Sequence, residues 1–193
     1  GSIMNVSTDN VVYGLNNVGG LVGINGNDGK IYNAFSSSLV RGTKNIGGLI
    51  GMNAGHLENS YVQSYEDGKS FGDDAVNVKG NTNVGGLIGY AVGGSISKVY
   101  SATYKDRVIG AGSSVNEYAG DVVGVSNVGG LIGYAYGSAS ADMSIRYAYT
   151  NFVAIAQGSL SGMIGYARFV NLDNSYMQNK NNASFIVNGN DYL

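Results

Sequence analysis

Apolar positions recur along this chain in one short motif, and neither the helical period nor simple alternation describes them. Asn83–Ala91 reads NVGGLIGYA, and Asn127–Ala135 reads the same nine residues again. The motif Asn-Val/Ile-Gly-Gly-Leu-Val/Ile-Gly also stands at Asn17–Gly23 and Asn45–Gly51, and a degenerate copy occupies Ser159–Gly165. Behind each copy comes an aliphatic residue followed four positions later by an aromatic. The pairs are Ile31 and Phe35, Leu57 and Tyr61, Ile96 and Tyr100, Ile145 and Tyr149, Leu172 and Tyr176. The residue just before each aromatic is small or β-branched: Ala34, Ser60, Val99, Ala148, Ser175. Four residues ahead of the motif's Val/Ile stands Gly14, Gly42, Gly80 or Gly124, with Ala156 in the last copy. Residues 3–14 read as the tail of a sixth, truncated copy.

The copies start near 17, 45, 83, 127 and 159, so their spacing is unequal. Propeller blades and helical repeats keep a nearly constant period. A solenoid tolerates insertions at its corners, because only the strand segments must stack. The excess length lies at 66–75 and 105–121. Without it, a coil of roughly 28 residues remains, enough for three short strands and three turns. The expectation is an all-β fold: one domain over 1–193, a parallel β-solenoid of about six coils with two protruding loops. Gly1-Ser2 reads as a cloning remnant and the chain as an excerpt of a larger protein.

In such a stack each recurring letter becomes a column with a rise of about 4.8 Å. Leu21, Leu49, Leu87, Leu131 and Met163 are expected inside. Val22, Ile50, Ile88, Ile132 and Ile164 would point the other way on an alternating strand. Both faces of that strand are then apolar, which requires either a cover or a bulge. The glycine columns leave room for close backbone approach or for left-handed turns. Tyr90, Tyr134 and Tyr166 continue the register of Ile24 and Met52, as Tyr61, Tyr100, Tyr149 and Tyr176 continue that of Phe35. Facing solvent, such ladders offer apolar rings with polar tips to a partner. Their exchange with Ile, Met and Phe favours core filling instead. Asn33, Asn59 and Asn174 share a register broken by Lys98 and Tyr147, which places that column at a corner.

Composition supports β structure: Gly is 32 of 193 and Tyr 15, while Pro, Cys and Trp are absent. Lack of a G-X-Y period excludes collagen. A 44% hydrophobic content against 12% charged is enough to build a core. The net charge of −2 is made of scattered residues, so no nucleic-acid footprint appears. No apolar run reaches the ~20 residues of a membrane helix, so no membrane insertion is expected.

The G-L-[VI]-G core with its trailing aliphatic-x-x-x-aromatic signature resembles the GLUG repeat over nearly the whole chain. That resemblance implies a region of large bacterial secreted or cell-surface proteins, either adhesin-like or among the zinc metallopeptidases that cleave immunoglobulin A. In both settings it implies an accessory, non-catalytic module.

Catalytic readings fare worse. Zinc-protease chemistry needs two His at i, i+4 with a Glu base, and His56 is the only histidine. If the parent protein is a zinc metalloprotease, its active centre lies elsewhere. DGKS at 67–70 lacks the upstream glycine of a phosphate loop. Glu66, Asp67, Asp73 and Asp74 form the one dense acidic cluster and the one candidate calcium site. Without alternating ligand spacing, a solvated loop is the favoured reading. Polysaccharide lyases and hydrolases built on β-helices gather acids across coils, so a glycan-processing enzyme is the alternative reading. The expected function is that of a spacer or docking surface, with no cofactor, secreted or on a bacterial surface and monomeric as an excerpt. Its partners would be a host protein, a glycan or neighbouring domains. Candidate contact residues are Tyr90, Tyr134, Tyr166, Lys105, Arg107 and Tyr118.

Overall fold

The computed structural model describes residues 1–64, 77–103, 121–178, 185–187 and 190–192. It is all-β, with parallel strands in stacked sheets. The chain runs β1 (Ser2–Thr8), β2 (Val11–Tyr13), β3 (Asn16–Gly19), β4 (Val22–Asn25), then β5 (Lys30–Ser36), β6 (Leu39–Arg41), β7 (Lys44–Gly47), β8 (Ile50–Asn53). Next come β9 (His56–Ser64), β10 (Val78–Lys79), β11 (Thr82–Gly85), β12 (Ile88–Val92), followed by β13 (Ser95–Thr103), β14 (Val122–Gly124), β15 (Ser126–Gly129), β16 (Ile132–Tyr136). The last are β17 (Met143–Thr150), β18 (Ala154–Ala156), β19 (Leu160–Ser161), β20 (Ile164–Arg168), β21 (Val170–Asp173), β22 (Tyr176–Met177), β23 (Phe185–Val187) and β24 (Asn190–Tyr192).

Every fourth strand pairs. The first sheet runs β1-β5-β9-β13-β17-β21, with β22 also beside β17, and the second runs β2-β6-β10-β14-β18-β23-β24. The third runs β3-β7-β11-β15-β19 and the fourth β4-β8-β12-β16-β20. Among the described residues the strand pairings are parallel except β23 with β24, and an isolated antiparallel bridge joins Ser138 and Ala141. The recurring segments are therefore neighbouring rungs: Ile88 sits between Ile50 and Ile132, Val84 between Ile46 and Val128. The degenerate copy keeps register, with Leu160 under Val128 and Ala156 under Gly124.

Each circuit holds four strand segments, not three. The Asn-Val-Gly-Gly-Leu-Ile-Gly motif, read above as one strand, bends at its second Gly and Leu and becomes two. That bend removes the two-faced strand. Leu49, Leu87 and Leu131 at the bend and Ile50, Ile88 and Ile132 after it are all fully buried in one core cluster. The same core takes Ile31, Leu57, Ile96 and Ile145 from the first sheet and Val40, Val78 and Val122 from the second.

The glycines are required for space. A Cβ on Gly47 would meet the backbone of Ile50 and, one coil further on, the amide of Gly89 at 2.7 Å. A Cβ on Gly89 would strike the backbone of Asn45 and Ile46 in the coil before. Gly19 with Gly51, Gly85 with Gly133, and Gly129 with Gly165 repeat the arrangement. The third and fourth sheets thus lie backbone against backbone, joined by glycine pairs. None of these glycines has positive φ; the left-handed residues of the motif are Asn17, Asn45, Asn83 and Asn127, with φ between 53° and 59°.

Candidate functional surface

The outer face of the first sheet is where polar and aromatic side chains collect, and a second left-handed column explains why. In β5, β9, β13 and β17 the fourth or fifth residue of the strand turns to φ near 50°: Asn33, Asn59, Lys98 and Tyr147. Each resets the in–out alternation by one residue. Ile31 is buried, Tyr32 and Asn33 are outward, Ala34 is buried again and Phe35 is outward. The aliphatic-x-x-x-aromatic signature is this reset written in sequence: a core residue, two outward positions, a small core residue, then an outward ring.

Those rings stack. Phe35 and Tyr61 lie 5.2 Å apart at 9°, and Tyr61 and Tyr100 lie 4.5 Å apart at 7°. Tyr149 sits in register with Tyr100, and Tyr176 follows at 4.8 Å. On the fourth sheet Tyr90 meets Tyr134 edge-on at 5.3 Å, and Tyr134 stacks on Tyr166 at 4.7 Å. The core-filling expectation for these columns is overturned: Tyr90 and Tyr134 are half-buried and Tyr166 is exposed, while the alternating Ala91 and Ala135 take the core. What buries the rings is each other. Desolvation, then the neighbouring Tyr134 and Tyr136, push the Tyr90 hydroxyl above its ordinary range; desolvation and Tyr176 do the same for Tyr149. Ring faces spent on ring faces leave edges and hydroxyls for a partner.

Beside the first ladder runs a polar chain. The Tyr32 and His56 rings lie 5.1 Å apart. His56 Nδ1 is 2.6 Å from Ser95 Oγ, and His56 Nε2 is 3.3 Å from Glu58 Oε2. Lys98 Nζ donates to Glu58 Oε1 at 2.9 Å. The Lys98 hydrogen bond first, and His56 second, hold the Glu58 carboxyl below the usual carboxylate range; Glu58 in turn raises Lys98. Both groups are solvent-accessible, so screening keeps the pair weak. His56 opens a strand and does not lie in a turn. A serine, a histidine and a glutamate in contact resemble a nucleophilic trio. Here, however, both oxygens of Glu58 are engaged and the trio stands on an open sheet face.

Of the sequence candidates, the structure aligns Tyr90, Tyr134 and Tyr166 on one sheet. Lys105, Arg107 and Tyr118, and the acidic set Glu66, Asp67, Asp73 and Asp74, lie outside the described residues. Among the described residues no group of three or more His, Asp or Glu could hold a metal ion. The His56–Ser95–Glu58 contacts were not foreseen, because Ser95 stands 39 residues from His56 in sequence. Comparison of the chain with protein-family models, with curated proteins and with solved structures found no match.

Proposed function

We propose that this chain is a non-catalytic spacer and docking module of a large exported bacterial surface protein, built as about six solenoid coils carrying two protruding loops. The observation that carries the reading is the continuity of its outer columns. Phe35, Tyr61 and Tyr100 form an unbroken strip, and Glu58, Lys98 and His56 form a polar strip alongside it. A regular surface of this kind suits the flank of a partner protein or a glycan chain, met by hydroxyls and ring edges. The two insertions are a second candidate contact, since each falls in sequence between a strand of the first sheet and one of the second, after β9 and after β13. Their ends are therefore adjacent, and the loops would act as one contact region.

The resemblance to GLUG repeats supports an accessory role beside an adhesin or an immunoglobulin A-cleaving metallopeptidase. The deciding measurement is binding of the purified chain to arrayed glycans and to immobilised immunoglobulin A. Tyr61→Ser combined with Tyr100→Ser should weaken whichever interaction appears. If the chain instead releases new reducing ends from polysaccharides, the glycan-processing alternative replaces this reading. In the protease setting, deleting the region should reduce cleavage of intact immunoglobulin more than cleavage of a short peptide; equal losses would remove that assignment.

A further inference from the structure

One polar cluster on the first sheet is wired in a way that docking does not use. His56 and Glu58 stand two residues apart on β9, so their side chains leave the same face of the strand. Ser95 opens β13 in the next coil and pairs with His56 in the register. Stacking brings the three together: His56 Nδ1 lies 2.6 Å from Ser95 Oγ, and His56 Nε2 lies 3.3 Å from Glu58 Oε2. Tyr32, from the coil before, lies against the imidazole at 5.1 Å between ring centroids and limits its rotation. Lys30 neighbours His56 in the register on the same side.

Glu58 decides which imidazole nitrogen carries the hydrogen. A carboxylate accepts and cannot donate, and the Lys98 ammonium, donating to Glu58 Oε1 at 2.9 Å, favours the ionised form. The hydrogen of neutral His56 therefore sits on Nε2, facing Oε2, and Nδ1 keeps its lone pair. The Ser95 hydroxyl then donates to Nδ1, the arrangement in which a hydroxyl gives up its proton as it attacks. The carboxylate also stabilises the imidazolium that forms. Ser95 is half-exposed and can be approached. It follows Gly93 and Gly94, at φ 68° and 69°, and a Cβ on Gly93 would meet nothing within 4 Å. The next coil supplies a serine without this wiring. Ser144 pairs with Ser95 and is equally half-exposed, but β13 separates it from β9 and from the chain's only histidine.

We infer that Ser95 is an acylation site: its Oγ takes the acyl group of an activated ester or thioester, with His56 as the base and Glu58 and Lys98 as positioning residues. In that step the bond from Oγ to the acyl carbon forms, and the bond from that carbon to the leaving oxygen or sulfur breaks. The hydroxyl proton passes to His56 Nδ1 and from there to the leaving group, which departs as an alcohol or a thiol. The product is an ester displayed on the open face of the first sheet, one group per chain. The chain is the acceptor of the group and not a turnover catalyst, and the inference stands whether or not that face also docks a partner.

The test treats the purified chain with p-nitrophenyl acetate and follows acetylation serine by serine with peptide mass spectrometry. Ser95 should be acetylated about 100-fold faster than Ser144, the size of a general-base effect. His56→Gln should bring Ser95 down to the Ser144 rate while circular dichroism keeps its β spectrum. Glu58→Gln places an amide where Nε2 met a carboxylate and frees the other tautomer, so it should slow Ser95; Glu58→Asp should restore part of the rate. Equal rates at Ser95 and Ser144 overturn the inference, and so does a Ser95 rate that survives His56→Gln. The comparison of the two serines is made within the unmutated chain, so it decides the matter even where a variant fails to fold.

Discussion

Single residues in this molecule divide into those that set distances and those that decorate. Gly89 belongs to the first group. An added methyl group would press on the backbone of Asn45 and Ile46, which cannot rotate away as a side chain can. Gly89→Ala should therefore cost at least about 3 kcal/mol in urea unfolding, the upper range of overpacking. Gly26 has open space around its Cβ direction. Gly26→Ala should leave stability unchanged or raise it by up to ~1 kcal/mol, by restricting the unfolded chain. Glu58 belongs to the second group. Its lowered carboxyl pKa means that its contribution is present above the unfolded-state value and is lost as pH falls through the folded-state value. Lys98→Met removes the leading cause of the shift. A carboxyl-detected NMR titration should then find Glu58 moved up towards its ordinary range, with the fold intact; an unmoved titration would reassign the shift to His56.

At the scale of elements, the Asn column joins what the glycines bring close. Asn83 takes a left-handed backbone at φ 56°, donates to Asn45 and accepts from Asn127. Asn83→Gly keeps the backbone and loses the two side-chain bonds, at about 1–3 kcal/mol. Asn83→Val adds left-handed strain of about 1–2 kcal/mol, so the Val variant should unfold at the lower denaturant concentration. The stacking itself was legible in sequence, since columns need only recurring letters in order. The bend at Gly48 and Leu49 was not, because two glycines beside apolar residues fit a close approach within one strand as well as a corner between two. The aromatic signature could be seen but not interpreted. Its meaning lies in the φ reset at Asn33 and Asn59, and at Lys98 and Tyr147 the same backbone is held by residues that carry no such signal. The ladder rings face outward for the same reason. Exchange among Ile, Met and Tyr reports apolar contact, and here that contact is with the next ring.

For the whole molecule, each coil pairs its strands only with the coils on either side, so stability is approximately a sum of nearest-neighbour terms. Most exposed apolar residues lie toward the two ends, Met4, Val11, Tyr13, Leu15 and Ile24 at one and Tyr166, Leu172, Tyr176 and Met177 at the other, with Val125 and Tyr147 between them. Native-state hydrogen exchange should find the slowest amides in β11 and β12 and progressively faster ones toward β2 and β22. Uniform protection would mean a single cooperative unit and would contradict the additive picture. The alternation of hydrogen bonds along the axis with a covalent path around it has a mechanical consequence. Tension applied between the termini loads the outermost coil first, as thread leaves a spool. Asn17 and Asn45 mark equivalent points 28 residues apart, so releasing that winding lengthens the tether by about 95 Å, and the longer windings from Asn45 and Asn83 add more.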